Sequence, residues 1–250
     1  MSSQAPSPSE TNTPPNLVAE NFRLLENAGE IGKQLVPVYQ AALATAPELD
    51  QVRITDQFIP PSSDEEQAIT EAQPTHKTAV ATHGAFTQDG VHSVFINLTE
   101  GGKAFEAATR DAPICRSVMA ETIGVTPSEL TAELLAKFSL AHELGHAVRY
   151  INVTPDKASL INERFRDMQT LPQSNRQPYD IEQWLKPPGG VNYFKQFGSY
   201  WARRGINTPE ELVRAQARAY RAMPTEAEPD QFALSVLAAL PDDLGRGDRT

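Results

Sequence analysis

Residues 142–146 read His-Glu-Leu-Gly-His and carry the side chains best suited to metal-assisted chemistry in this chain. Two histidines four positions apart share one face of a helix, so both imidazoles can reach a single zinc ion. Glu143 can then take a proton from a zinc-bound water that attacks a carbonyl group. The composition includes only 5 histidines, and this spacing is expected by chance about 0.008 times. We predict that His142 and His146 bind zinc and that Glu143 is the general base.

A hydrolytic zinc site needs a third protein ligand and leaves one position open for water. No histidine follows His146 in the sequence, so we expect a carboxylate. In two places a glutamate precedes an aspartate by four residues, a spacing that lets the aspartate orient a ligating imidazole: Glu163/Asp167 and Glu226/Asp230. A strongly apolar helical pattern follows Glu226, whereas Glu163 lies among charged residues. The sequence favours Glu226 and leaves Glu163 as the alternative.

Further polar residues are candidates for supporting roles. A tyrosine hydroxyl can stabilise a developing oxyanion, and Tyr220 is the preferred candidate because it lies just before Glu226. Cys115 could cap the zinc as a thiolate, but its apolar helical surroundings favour a small buried side chain. His92 alternates with apolar residues and is expected in the core or at its rim. Arg214 and Arg218 have the spacing of a solvated helix face.

The element that positions the motif is predicted to be a helix running from Thr126 to about Ile151. Its start is indicated by a capping box with proline at the first helical position, in residues 126–129. The same pattern occurs in residues 208–211. Thr225 and Glu228 could form another box, before the apolar helix that follows Glu226.

The remaining patterns predict an α+β fold that is mainly helical. Residues 17–46 have helical spacing of apolar residues, which Gly29 and Pro37 should divide or kink. Residues 77–82 and 91–98 are the two strand candidates. We expect a small sheet packed on the motif helix, and a third ligand supplied by a later helix.

Composition changes along the chain predict four regions. Residues 1–16 are rich in Ser, Pro, Thr and Asn and are expected to be a disordered arm. Residues 17–75 are predicted to form an acidic N-terminal helical region and linker, 76–241 the metallopeptidase domain, and 242–250 a flexible tail. Residues 1–75 contain 11 acidic and 3 basic side chains. We expect this acidity to serve solubility or a protein partner.

Charge and composition exclude several classes of protein. The net charge is −10, which argues against nucleic-acid binding because that requires a basic surface. There is no apolar run of the length that spans a membrane and no secretory signal pattern. The single cysteine suggests a reducing compartment. We therefore expect a cytoplasmic protein.

Two blocks of sequence resemble one known family, the ImmA/IrrE-type zinc metallopeptidases of the gluzincin group. The blocks are KFSLAHELGHAV at 137–148 and EAEPDQFALSVLAALP at 226–241. The resemblance implies that His142, His146 and Glu226 are zinc ligands and that Glu143 is the general base. It also implies that Asp230 supports a ligand, and that the strand at 91–98 is the edge along which a peptide substrate lies.

The chain departs from the family pattern in two respects. Pro229 stands where the family usually has alanine, and 79 residues separate His146 from Glu226, more than is usual. The insert at 152–208 therefore has no template in the resemblance. Two hypotheses follow for the whole protein: a zinc-dependent peptidase, or a zinc-binding sensor or protein-interaction module with a zincin fold and little or no turnover.

Overall fold

The computed structural model of the protein describes residues 16–57, 81–84, 91–153 and 157–241. Within these residues the chain is mainly helical with one small sheet, which confirms the predicted α+β class. The predicted disordered arm (except Asn16), the linker at 60–75 and the tail at 242–250 lie outside the described residues.

The N-terminal segment forms two helices and a short strand. Helix α1 (Leu17–Asn27) and helix α2 (Gly29–Thr45) are followed by a 3-10 turn (Pro47–Gln51) and strand β1 (Arg53–Thr55). The predicted division falls at Gly29, whose φ of 74° is left-handed and costs glycine little. Pro37 lies inside α2 without ending the helix.

A buried asparagine ties β1 to the first two helices. Asn21 donates hydrogen bonds to the Tyr39 hydroxyl and to the Val52 carbonyl, each at 2.8 Å, and accepts one from the Ile54 N–H at 2.8 Å. The side chain thus satisfies backbone groups that burial would otherwise leave without a partner.

The sheet has three strands in the order β1-β3-β2, where β2 is Ala81–Gly84 and β3 is Ser93–Ile96. Strand β3 pairs in parallel with β1 and antiparallel with β2. The expectation that the strand at 91–98 forms the substrate edge is therefore wrong, because β3 is the central strand. Of the other strand candidate, 77–82, residues 77–80 lie outside the described part.

The helices that follow β3 lead to the motif. After a 3-10 turn (Thr99–Gly101) come α3 (Lys103–Asp111), α4 (Pro113–Ile123) and α5 (Ala132–Val153), which carries the motif. The predicted start at Thr126 is wrong, because the helix begins at Ala132. The Glu129 carboxylate does accept from the Thr126 N–H at 2.7 Å, but only a turn forms there. The helix starts later, where the Thr131 hydroxyl accepts from the Leu134 N–H at 3.1 Å.

The C-terminal part consists of five helices in the described residues: α6 (Lys157–Gln169), α7 (Pro178–Trp184), α8 (Gly189–Ala202), α9 (Pro209–Arg221) and α10 (Pro224–Ala238). The predicted start at Thr208 is confirmed, since its hydroxyl accepts from the Glu211 N–H at 3.1 Å. The predicted Thr225/Glu228 box is wrong. Thr225 binds Asp167 and Glu228 pairs with Arg149 instead.

One apolar core joins the N-terminal segment to the motif helix. Helices α2 and α10 both pack on α5, and β1 pairs with β3. The shared core includes fully buried residues of α1, α2, α5 and α10: Leu25, Leu35, Val38, Tyr39, Leu140, Leu144, Ala233 and Val236. Residues 17–57 are part of the body that holds the motif.

A second, smaller apolar cluster joins residues of the insert at 152–208 to the helix that follows it. It contains Ile181, Leu185, Trp201, Leu212 and Val213, from α7, α8 and α9. These helices, together with α4, thus have apolar packing of their own.

Candidate metal centre

Helix α5 presents both motif histidines on one face. The Nε2 atoms of His142 and His146 lie 3.1 Å apart, and the two residues are 6% and 5% exposed. The helix is rigidly placed, because Leu140 and Leu144 on either side of His142 are fully buried in the apolar core. The sequence expectation that the two imidazoles face one point is met by the backbone of a single regular helix.

Helix α10 brings a carboxylate to the same point. Oε2 of Glu226 lies 3.3 Å from Nε2 of His142 and 3.8 Å from Nε2 of His146. Glu226 is 1% exposed. Among the described residues, His142, His146 and Glu226 form a buried group whose ligand atoms all lie within 4.8 Å of one another.

The separations of these three atoms fit a metal ion. Ligands about 2.0–2.1 Å from a tetrahedral ion are separated from one another by about 3.3 Å. The observed values of 3.1, 3.3 and 3.8 Å lie around that figure. Two imidazoles and one carboxylate could therefore hold a divalent cation with little rearrangement.

The glycine of the motif lets α10 approach closely enough to deliver Glu226. A Cβ atom at Gly145 would lie 2.9 Å from Cα of Pro229 and 3.1 Å from its carbonyl oxygen. Any larger side chain would push backbone against backbone. Pro229, the residue that departs from the family pattern, thus sits directly against the motif. It lies inside α10, beyond the first turn, so it removes the hydrogen bond that an N–H at this position would donate to the Thr225 carbonyl.

Asp230 orients His142 from the side opposite the cluster. Its Oδ1 lies 2.8 Å from Nδ1 of His142 and 2.9 Å from Nη1 of Arg221. A proton on Nδ1 directed at this carboxylate leaves Nε2 available as a metal ligand. Burial disfavours the charged imidazole, but hydrogen bonds to Asp230 and Glu226 outweigh it and raise the pKa of His142 to about 9.

Arg164 of α6 holds the other oxygen of Glu226. Its Nη1 lies 3.2 Å from Oε1, and its Nη2 lies 3.5 Å from the Tyr220 hydroxyl. Burial alone would raise the pKa of Glu226. Hydrogen bonds to the two histidines and the charge of Arg164 instead hold that pKa well below its usual range.

The alternative ligand pair on α6 faces other groups. Glu163 forms an ion pair with Arg149 and is not part of the metal-binding group. Asp167 accepts hydrogen bonds from the N–H and hydroxyl of Thr225, at 3.1 and 2.5 Å. The geometry therefore places Glu226 rather than Glu163 with the histidines.

Glu143 is the acidic residue of the motif that keeps access to solvent. It is partly exposed, whereas the flanking His142 and Leu144 are buried. Its charge lies close enough to contribute to the raised pKa of His142. A carboxylate beside the cluster and open to water is placed to exchange protons there.

Two tyrosines lie near the cluster. Tyr220 contacts Arg164, and burial first and then the charge of Glu226 raise the pKa of its phenol. Tyr150 stacks on the ring of His146 with centroids 6.0 Å apart, and burial raises its pKa as well. Both hydroxyls therefore stay protonated at neutral pH and can act as hydrogen-bond donors.

The other candidate residues lie elsewhere. Cys115 is in α4, where its backbone N–H donates to Glu182 at 2.9 Å and its side chain packs against the second apolar cluster. Burial raises the pKa of the Cys115 thiol, which disfavours a thiolate. His92 is half-buried, and burial lowers its pKa.

Arg214 and Arg218 of α9 pair with an acidic residue of α4 at the protein surface. Arg218 makes a two-pronged contact with Glu121 of α4, at 3.0 and 3.1 Å, and Arg214 lies 3.4 Å from the same carboxylate. This pairing joins α9 to α4, so the helix face that was predicted to be solvated also contacts an acidic residue of α4.

Three arginines near the cluster were not anticipated from the sequence: Arg149, Arg164 and Arg221. Each pairs with a carboxylate on another helix. The contact of Arg164 with Glu226, for example, joins residues 62 positions apart. Only Arg149 offers a local signal, because it follows His146 by three residues and so shares its helix face.

Comparisons with known proteins do not identify the chain. No model of a known protein family matches it, and no curated protein or solved structure matches it either. In the part of the chain that the structure describes, none of the helices combines the length and apolar character needed to cross a bilayer.

Proposed function

We propose that the protein is a zinc-dependent metallopeptidase in which His142, His146 and Glu226 hold the metal. One observation carries the proposal: three buried ligand atoms from two helices converge at tetrahedral separations beside a partly exposed glutamate. Two imidazoles and a carboxylate with one position left for water form the usual donor set of zinc hydrolases. When bound there, zinc makes water more acidic and polarises a carbonyl group.

Glu143 supplies the proton transfers in this proposal. Its carboxylate takes the proton of the attacking water and passes it to the leaving amine. Asp230 holds His142 in the tautomer that ligates. A protonated Tyr220 or Tyr150 hydroxyl donates to the oxyanion that develops on the substrate carbonyl.

The edge of the sheet offers a place for a peptide substrate. Strand β2 packs against α5, and its outer edge has no strand partner within the described residues. An extended peptide can add to such an edge through main-chain hydrogen bonds. The edge strand available to a peptide substrate is therefore Ala81–Gly84, whereas the strand at 91–98 is central.

The experiment that tests the proposal is cleavage of a complex peptide mixture. Wild-type protein loaded with zinc should create new N-termini, detected by mass spectrometry. Glu143→Gln should create at least 100-fold fewer while it binds as much zinc, because it loses the base and keeps the ligands. Equal cleavage by both proteins would exclude Glu143 as the base and with it this mechanism.

The burial of the cluster favours a second candidate. All three ligands are at most 6% exposed, which suits a metal-binding sensor or interaction module with little turnover. Zinc bound by the wild type, together with no new termini from any peptide, would support this alternative.

A further inference from the structure

Helix α6 lies in the segment for which the family resemblance offers no template, yet it touches the metal-binding group directly. Arg164 places Nη1 3.2 Å from Oε1 of Glu226, while Oε2 of the same carboxylate faces the two histidines. The two oxygens therefore have different partners. An oxygen engaged by a guanidinium has less electron density to offer a metal.

Two further contacts of α6 fix where Arg164 stands. One residue before it, Glu163 pairs with Arg149, which follows His146 by less than one helical turn. Three residues after it, Asp167 binds the N–H and hydroxyl of Thr225, the neighbour of Glu226. Arg164 is thus held between an anchor on the histidine helix and an anchor on the glutamate helix.

We propose that Arg164 is a positioning residue that makes Glu226 a one-oxygen metal ligand, and that α6 completes the metal centre from outside the two motif blocks. The arginine holds Oε1 and leaves Oε2 for the metal. Its planar fork suits this task better than an ammonium group, because it can contact Glu226 and Tyr220 together. This inference rests on the metal site of the proposed function but does not require peptide cleavage.

The test uses the full chain and two metals without substrate. Arg164→Gln removes the charge, Arg164→Lys keeps it without the fork, and Arg166→Gln is a matched control on the exposed side of the same helix. Zinc affinity is measured by competition with a chromogenic chelator. The visible spectrum of bound Co²⁺ reports the number of ligands, and circular dichroism checks the fold.

Arg164→Gln should bind zinc 10–100-fold more weakly than the wild type, as is usual when a partner of a metal ligand is removed. Its Co²⁺ absorption should also weaken, because a released Glu226 can bind through both oxygens and raise the coordination number. Arg164→Lys should fall between Arg164→Gln and the wild type, and Arg166→Gln should match the wild type.

Arg164→Gln with wild-type affinity and spectrum would overturn the inference. If that variant fails to fold, Arg164→Lys decides by the same two measurements. A wild-type protein that binds neither metal would overturn this inference together with the proposed function. Metal binding without cleavage would contradict only the proposed function.

Discussion

The metal-binding group lies between two regions that are held in different ways. Helices α5 and α10 meet through apolar side chains, among them the fully buried Leu144 and Val236. Helix α6 contacts the metal-binding group through the charged and polar side chains of Glu163, Arg164 and Asp167. Its buried Met168 packs in a separate small apolar cluster with Leu171 and Met223. Burial of apolar side chains stabilises a fold but is non-directional. Ion pairs and hydrogen bonds add little net stability, but they fix the relative orientation of the groups they join. We infer that the first region supplies stability and the second supplies ligand orientation.

The largest change in the free energy of unfolding should come from a substitution in the apolar contact between α5 and α10. Leu144→Ala removes a fully buried side chain between the two histidines and should lower the free energy of unfolding by about 2–5 kcal/mol. Denaturant unfolding of the metal-free protein measures it. Phe165→Ala is the control, since Phe165 of α6 is 58% exposed and its loss should change stability by no more than about 0.5 kcal/mol. Equal losses in both variants would contradict the proposed division of roles.

A smaller change in the free energy of unfolding is expected from a substitution in the polar contacts of α6. Asp167→Ala removes the acceptor of two hydrogen bonds from Thr225 and should cost about 1–2 kcal/mol. Thr225→Val removes one of the two bonds and should cost less. A double-mutant cycle of these changes should show coupling, because the residues contact each other directly. Strict additivity would mean that this contact does not anchor α6.

The smallest expected effect is the loss of a proton from His142 when the metal binds. His142 has its pKa raised to about 9, so at pH 7 it carries a proton in the metal-free protein and must lose it to bind a metal. Glu226 is already ionised, because its pKa is lowered. Metal binding at pH 7 should therefore release about one proton from this pair of ligands. Affinity should rise with pH until His142 is neutral, above about 9.

Calorimetry in buffers of different ionisation enthalpy measures the number of protons released. Asp230→Asn supplies the comparison, because it removes one of the two hydrogen bonds that raise the pKa of His142. This variant should release fewer protons at pH 7. Metal binding by the wild type with no proton release would show that His142 is neutral before the metal arrives.

The sequence predicted those parts of the site that depend on local geometry. His142 and His146 could be assigned to one face because a helix repeats every 3.6 residues. The choice of Glu226 over Glu163 followed from the apolar residues after it, which bury α10 beside α5. A charged environment likewise marked Glu163 as a residue with other partners, and it pairs with Arg149.

The sequence could not predict features set by tertiary packing. The helix start at Thr126 was misplaced because its capping hydrogen bond also closes an isolated turn. The family resemblance implied that the strand at 91–98 is an edge strand. Strand β1, with three residues, is too short to show alternation, so the sequence did not reveal that β3 has a neighbour on each side. Arg164 and Arg221 pair with carboxylates on other segments or beyond a turn, and no spacing rule identifies such partners.

The most direct test of the account is the metal content of two glutamine variants. Glu226→Gln and Glu163→Gln are purified with the wild type, loaded with zinc, dialysed and analysed by mass spectrometry for metal per chain. The wild type and Glu163→Gln should retain about one zinc ion per chain and Glu226→Gln should lose it, because Glu226, unlike Glu163, lies with both histidines. Zinc retained by Glu226→Gln and lost by Glu163→Gln would contradict the site described.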